Sequence, residues 1–272
     1  MIPVIVDAAF VAAHSDAVLA DVRWYLDGRD GRAAYEQAHL PGAVWIDLDR
    51  DLAGHGFPAT QGRHPLPSPD DFARSMGAVG IGDDSTVIVY DDTGGMTAGR
   101  LVVMLRVVGV AAAALDGGLA GWTGQVEQGW VTPVRRAFTA RPWPSERFAT
   151  ADETGIAAAA GRPVLDARSA ERFRGETTVV DPRPGHIPGA RSAPWNAVLD
   201  EHGRFRPPAE LRRYYASLGA TGGDVIASCG SGVSACMNVM AMEHAGLTPA
   251  RLFTASWSGW SADPDRPAEC GA

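Results

Sequence analysis

Val225-Ile226-Ala227-Ser228-Cys229-Gly230-Ser231-Gly232-Val233-Ser234 reads as a short strand, a tight loop opened by a cysteine, and the start of a helix. The β-favouring residues come first and the two glycines mark the loop. This order of elements aims backbone N–H groups at one point, where the positive end of the helix dipole adds to the field. A thiolate at that point is stabilised, which makes Cys229 a candidate nucleophile. The plainer use of a cysteine at a strand end is as a small apolar filler. The glycines and hydroxyls around Cys229 favour the nucleophile.

Outward from the loop, Val233 to Ala245 is apolar nearly all round, with Gly246 placed to end it, and predicts a buried helix. Pro163 to Asp166 and Leu252-Phe253 predict strands, and Ala209 to Leu218 predicts a helix. Strands alternating with helices predict an α/β fold: a mostly parallel sheet with helices on both faces. Sites in such sheets form at the carboxyl ends of strands, where Cys229 stands.

The same order of features occurs earlier in the chain. Asp21-Val22-Arg23 is echoed by Asp166-Ala167-Arg168, an offset of 145, and His39-Leu40-Pro41-Gly42-Ala43 by His186-Ile187-Pro188-Gly189-Ala190, an offset of 147. Val87 to Asp91 matches Val225 to Cys229, and Gly118 to Trp122 matches Ser256 to Trp260, both at an offset of 138. A period this long excludes a solenoid and predicts two similar domains in tandem. We place them at residues 1–130 and 151–272, with a proline-containing linker at 131–150. Trp130, Phe138 and Trp143 are costly in water, so this linker is expected to strap one domain onto the other.

The repeat puts Asp91 where Cys229 stands. A carboxylate cannot act as a soft nucleophile, so the first domain is expected to be non-catalytic. It carries instead a longer excursion, Gly54 to Pro67, rich in Gly, Pro and His. Long irregular loops are often functional. This one is expected to carry His64 to the second domain's cysteine, the alternative being a solvated loop histidine.

Composition narrows the function classes. A net charge of -8 without a basic run argues against nucleic acid. Three cysteines without a CxxC pair form neither a disulfide framework nor a zinc site. The N-terminus lacks a basic, then apolar, leader, and the run Leu101 to Leu115 is too short to span a bilayer. We therefore expect a cytoplasmic protein with reduced thiols and no membrane partner.

Taken together, the two HxPGA elements, the cysteine loop, Asp116-Gly117-Gly118-Leu119-Ala120-Gly121-Trp122 and Ser256-Trp257-Ser258-Gly259-Trp260 resemble the tandem-domain sulfurtransferases of the rhodanese superfamily. The resemblance covers nearly the whole length and implies two tandem rhodanese-like domains. The loop Cys229-Gly230-Ser231-Gly232-Val233-Ser234 is similar to that of the 3-mercaptopyruvate branch. The thiosulfate branch carries basic residues just after the cysteine, and Gly230 and Ser231 bear no charge. The resemblance further implies a Ser231–His64–Asp49 relay, with Asp47 as the fallback for the acid. It implies substrate contacts from Gly230, Gly232, Val233, Ser234 and a carboxylate-binding Arg172. A second such arginine is usual, and Arg183 is the candidate at an altered spacing.

The activity so implied is sulfur transfer from a small-molecule donor, 3-mercaptopyruvate, through a Cys229 persulfide. The acceptor is a thiol, such as thioredoxin or a low-molecular-weight thiol, or cyanide. No metal or organic cofactor is called for. Transfer from thiosulfate, and a non-catalytic persulfide carrier, are the alternatives. A cysteine phosphatase or arsenate reductase needs an arginine six positions beyond the cysteine, and Ala235 stands there. Cys236 is too far along the helix to resolve a persulfide, and Cys270 lies in a short polar tail. Trp257 is expected either to wall the site or to fill the core, and Asp166 and Arg168 to bond beneath the loop.

Overall fold

The computed structural model describes residues 2–178 and 180–271. Two compact units make up the chain. The first comprises residues up to Gly54, Pro67–Trp143 and Asp200–Phe205; the second comprises His55–Leu66, Pro144–Leu199 and Arg206 onward. The stretch expected as a linker divides at residue 143. Two of its aromatic side chains are absorbed by the first unit: Phe138 and Trp143 lie 5.7 and 5.1 Å from the Phe72 ring, and Trp143 Nε1 donates to the Pro67 carbonyl at 2.8 Å.

In the first unit the strands are β1 (Ile5–Val6), β2 (Val18–Asp21), β3 (Val44–Trp45), β4 (Thr86–Tyr90) and β5 (Ala111–Leu115). They form one parallel sheet in the order β1-β5-β4-β2-β3. The helices are α1 (Ala8–Ala13), α2 (Gly31–Gln37), α3 (Leu48–Asp51), α4 (Pro69–Ala78) and α5 (Ala98–Val107). Residues 87–90 of β4 are all buried, so both faces of the sheet's centre are covered, as a parallel sheet requires.

The second unit holds β6 (Val164–Asp166), β7 (Arg191–Ser192), β8 (Ile226–Ser228) and β9 (Arg251–Leu252), parallel in the order β7-β6-β8-β9. A bridge between Phe148 and Leu252 takes the place of a fifth strand. Its helices are α6 (Ala151–Ala159), α7 (Ala170–Arg174), α8 (Pro208–Ser217), α9 (Ala235–His244) and α10 (Ser256–Ala262). α9 starts two residues later than its apolar pattern predicts, because the backbone up to Ser234 is still turning around the cysteine. It is buried from Ala235 to Met242 and ends at Gly246, whose φ of 74° and amide bond to Glu243 make a C-terminal cap.

The repeat extends to atomic detail. Arg23 Nε lies 3.1 and 3.0 Å from the two Asp21 oxygens, and Arg168 Nε lies at the same distances from those of Asp166. Each arginine then donates to the carbonyl just before the histidine of its HxPG element, Ala38 at 2.6 Å and Gly185 at 2.8 Å. These buried pairs tie the carboxyl end of β2 or β6 to the following segment. The bonds of Asp166 and Arg168 are of the structural kind expected beneath the loop.

Candidate active site

Register sets the position of the thiol. β8 pairs with β6 so that Ser228 faces Asp166, and Cys229 is the first residue past the carboxyl edge. Its side chain is buried, and Gly232 N–H donates to Sγ at 3.1 Å. The Cys229 amide donates to Ser256 Oγ at 3.0 Å, and that hydroxyl stands 3.9 Å from Sγ. Ser256 has φ of 50°, the one left-handed non-glycine among the described residues. That conformation costs a serine about 1 kcal/mol, and here it is held by the bond from the Cys229 amide. Nothing in the sequence signals it.

The corresponding loop in the first unit is closed on itself. The Asp91 carboxylate accepts from the amides of Thr93, Gly95, Thr97 and Ala98 at 2.8–2.9 Å and from Thr97 Oγ1 at 3.0 Å. From strand to helix this loop is one residue longer than that of Cys229, with Thr97 and Ser234 in the flanking positions. The same architecture therefore spends its N–H groups on an internal anion in one copy and faces a thiol in the other.

His64 lies in the segment that joins the second unit. Its Nδ1 is 2.8 Å from Ser231 Oγ, and both residues are nearly buried, at 6% and 7% exposure. Residues 60–62 sit directly on α10: a methyl group on Gly259 would lie 2.6 Å from the Thr60 carbonyl. The Arg63 amide donates to Ser258 Oγ at 3.1 Å, which pins the residue before the histidine. Gly259→Ala is expected to unseat this segment and lower kcat about 10-fold or more through loss of His64 positioning. Steady-state kinetics on the folded variant checks this, and unchanged kcat counts against it.

Asp49 stands in α3 of the first unit and accepts from Trp24 Nε1 at 2.8 Å. Asp47 caps the same helix, accepting from the amides of Asp49 and Arg50. Val233 and Ser234 give their carbonyls to Cys236 and Met237 in the first turn of α9.

The arginines sort differently from expectation. Arg172, on α7, holds Asp181 through Nε and Nη2 at 2.8–3.1 Å. Arg183 is used elsewhere: it donates to the carbonyls of Ser261, Asp263 and Arg266 and so holds the turn after α10. The group that stands with Arg172 is Arg63, a residue the sequence reading passed over although it is adjacent to His64. A side-chain carbon on Gly230 would lie 2.9 Å from Arg172 Nη2 and 3.0 Å from Arg63 Nη2. Both guanidinium groups therefore lie over the residue that follows Cys229.

Beneath them Arg168 is 2% exposed. Burial works against its charge, but the carboxylates of Asp166 and Asp181 and the nearby Cys229 keep its pKa above the ordinary value. Trp257 is fully buried, with Arg168 5.0 Å over its ring and Nε1 donating to the Arg183 carbonyl. It is core. Cys236 is buried and Cys270 exposed.

Two parallel sheets, each gathering a loop at the carboxyl edge of a central strand, define a tandem α/β chain with a thiol in one loop and a carboxylate in the other. The chain belongs to the rhodanese-like domain family, whose model matches residues 9–125 and 150–263. It is similar to a Pseudomonas aeruginosa protein named "Probable 3-mercaptopyruvate sulfurtransferase", 39% identical over 95% of this chain and 94% of the relative. It is also similar to a Mycobacterium tuberculosis protein named "Putative thiosulfate sulfurtransferase SseB", 41% identical over 96% and 93%. Among solved structures, Escherichia coli SseA, titled for the fold and mechanism of 3-mercaptopyruvate sulfotransferases, superposes with a TM-score of 0.83 at 31% identity, over 94% of this chain and 99% of that one.

Proposed function

We propose that this chain is a sulfurtransferase that takes sulfur from 3-mercaptopyruvate through a persulfide on Cys229. The observation that carries the reading is the buried Ser231–His64 pair, 2.8 Å apart, one residue from the cysteine loop's apex. A donor whose leaving group is a carbon needs a proton, and a hydroxyl–imidazole pair can deliver it.

The Cys229 thiolate attacks the thiol sulfur of mercaptopyruvate. The carbon–sulfur bond breaks and its electron pair becomes the enolate of pyruvate. The thiol proton passes by way of Ser231 and His64 to the methyl carbon, leaving pyruvate and an anionic persulfide. Arg172 binds the substrate carboxylate and sets the sulfur in line with Sγ. The five donors around Asp91 support the loop's capacity to hold an anion two bonds from Cβ, which is where the outer persulfide sulfur would sit. Acceptor attack on that sulfur, by a thiol or cyanide, regenerates the thiolate. Among the described residues no group of side chains is arranged to hold a metal, and no helix is long and apolar enough to cross a membrane.

Incubation with mercaptopyruvate, digestion and mass measurement test the reading: the Cys229 peptide should gain one sulfur atom, and its failure to do so would sink the proposal. Ser231→Ala is expected to lower kcat/KM for mercaptopyruvate by about 10²-fold and that for thiosulfate far less, since sulfite leaves without a proton. Equal losses would remove the proton relay.

A further inference from the structure

The repeat that matches Asp91 to Cys229 also matches the opposite, amino edges of the two sheets, and there the copies differ by a guanidinium. β3 pairs with β2 so that Val44 faces Ala20, and β7 pairs with β6 so that Arg191 faces Leu165. Val44 and Arg191 are therefore equivalent, at the HxPG offset of 147. In the second unit Arg191 bonds to the segments that lead into β6 and β8. Its Nη1 donates to the Leu218 carbonyl, and its Nη2 to the Gly161 carbonyl at 2.8 Å. Leu218 caps α8, and a methyl group on the next residue, Gly219, would lie 2.7 Å from Nη1. The guanidinium fills this corner of the second unit.

In the first unit Val44 leaves the corner open. A pocket of about 710 Å³ lies there, walled by Val44, by Ser15 and Ala17 ahead of β2, by Val79 and Gly80 at the end of α4, and by Val134. Val79 caps α4 as Leu218 caps α8, and Gly80 follows it as Gly219 does. Position 16, between Ser15 and Ala17, matches Gly161 at the offset of 145. A side-chain carbon on Gly42 would meet nothing within 4 Å, whereas one on the matching Gly189 would lie 3.0 Å from the Ala158 carbonyl.

The acceptors outlast the missing donor. The carbonyls of Val79 and Val134 accept no hydrogen bond among the described residues, and the Val134 oxygen would lie 2.9 Å from a methyl group on Gly80. Asp16 puts a carboxylate where Gly161 offers a carbonyl, and it has no ion pair or hydrogen bond among the described residues. His14 donates from Nδ1 to the Phe10 carbonyl at 2.9 Å, which leaves Nε2 an acceptor in the neutral ring. The cation at the rim, Arg136, is held by both Asp84 oxygens at 2.9 and 3.1 Å. What the pocket lacks is a donor with positive charge.

We propose that this pocket binds a small molecule with a guanidinium or amidinium head on an apolar body, the head taking the place that the Arg191 side chain fills in the second copy. A planar fork of donors suits two carbonyls and a carboxylate, and Val44 with Pro133 and Trp122 covers the apolar body. This binding is separate from sulfur transfer and holds whether or not Cys229 carries a persulfide.

The test is calorimetric titration of the full chain with benzamidine, benzamide and benzoate. We expect benzamidine to bind once per chain, at least about 10-fold more tightly than benzamide, and benzoate not to bind. Val44→Arg, which gives the first copy the arginine of the second, should abolish benzamidine binding. Asp16→Asn, a change at an exposed side chain, should weaken it about 5-fold. The ligand series on the wild type and the Asp16 variant keep the test decisive if Val44→Arg does not fold. Equal affinities for benzamidine and benzamide, no saturable benzamidine binding by about 10 mM, or unchanged binding in a folded Val44→Arg each overturn the proposal. Self-association of the wild type that benzamidine reverses would seat an arginine of a second copy in the pocket, and also overturns it.

Discussion

Cys229→Ser is expected to lower pyruvate release from mercaptopyruvate by at least about 10³-fold while leaving the fold intact. Serine keeps the size of the side chain and can still accept the Gly232 amide, so its cost in stability should stay below about 2 kcal/mol. What it removes is a polarisable sulfur atom that can bond to a second sulfur. Neither the Ser231–His64 pair nor the arginines over Gly230 can substitute for that atom. Turnover and a thermal melt on the same preparation decide the matter: activity within 10-fold of wild type would end the nucleophile assignment.

At the matching position of the first unit the opposite balance holds. Asp91→Ala should destabilise the chain by about 3–5 kcal/mol, because it leaves buried amides and a hydroxyl without an acceptor. For a unit of this size that lowers the melting temperature by about 10 °C. The activity of the molecules that remain folded should fall much less, since Asp91 is placed to fill its own loop. A melting temperature within about 2 °C of wild type would show that the cradle contributes nothing. The two substitutions together would separate the roles of the copies: one loop holds an anion of its own, and the other is proposed to acquire one during turnover.

Much of the second unit was legible along the chain, because its signals are local. β6, α8, β8 and β9 lie within a residue or two of their predicted spans, and their alternation with helices is what implies a parallel sheet. The start of α9 was misplaced because apolar pattern reports burial, and the loop before it is as buried as the helix. Asp166 and Arg168 were legible as structural hydrogen-bonding residues beneath the loop, though not as each other's partners, nor Asp21 as that of Arg23. Trp257 was legible as a large apolar side chain, though not as core in preference to site wall. The linker aromatics were legible as needing cover, though not as finding it on Phe72.

By itself, the sequence determined that the chain is a duplicated α/β protein, that a cysteine opens the loop after a central strand of the second copy, and that an aspartate has replaced it in the first. Those features rest on period, turn chemistry and order, which are properties of neighbouring residues. Only the tertiary structure decided which of the distant groups lie at the cysteine loop. His64 meets Ser231 across 167 positions of sequence. Arg63 stands with Arg172, while Arg183 is drawn off by three carbonyls at the end of α10. The physical reason is that a guanidinium goes wherever folded backbone leaves acceptors unsatisfied, and no spacing along the chain records where those acceptors will lie.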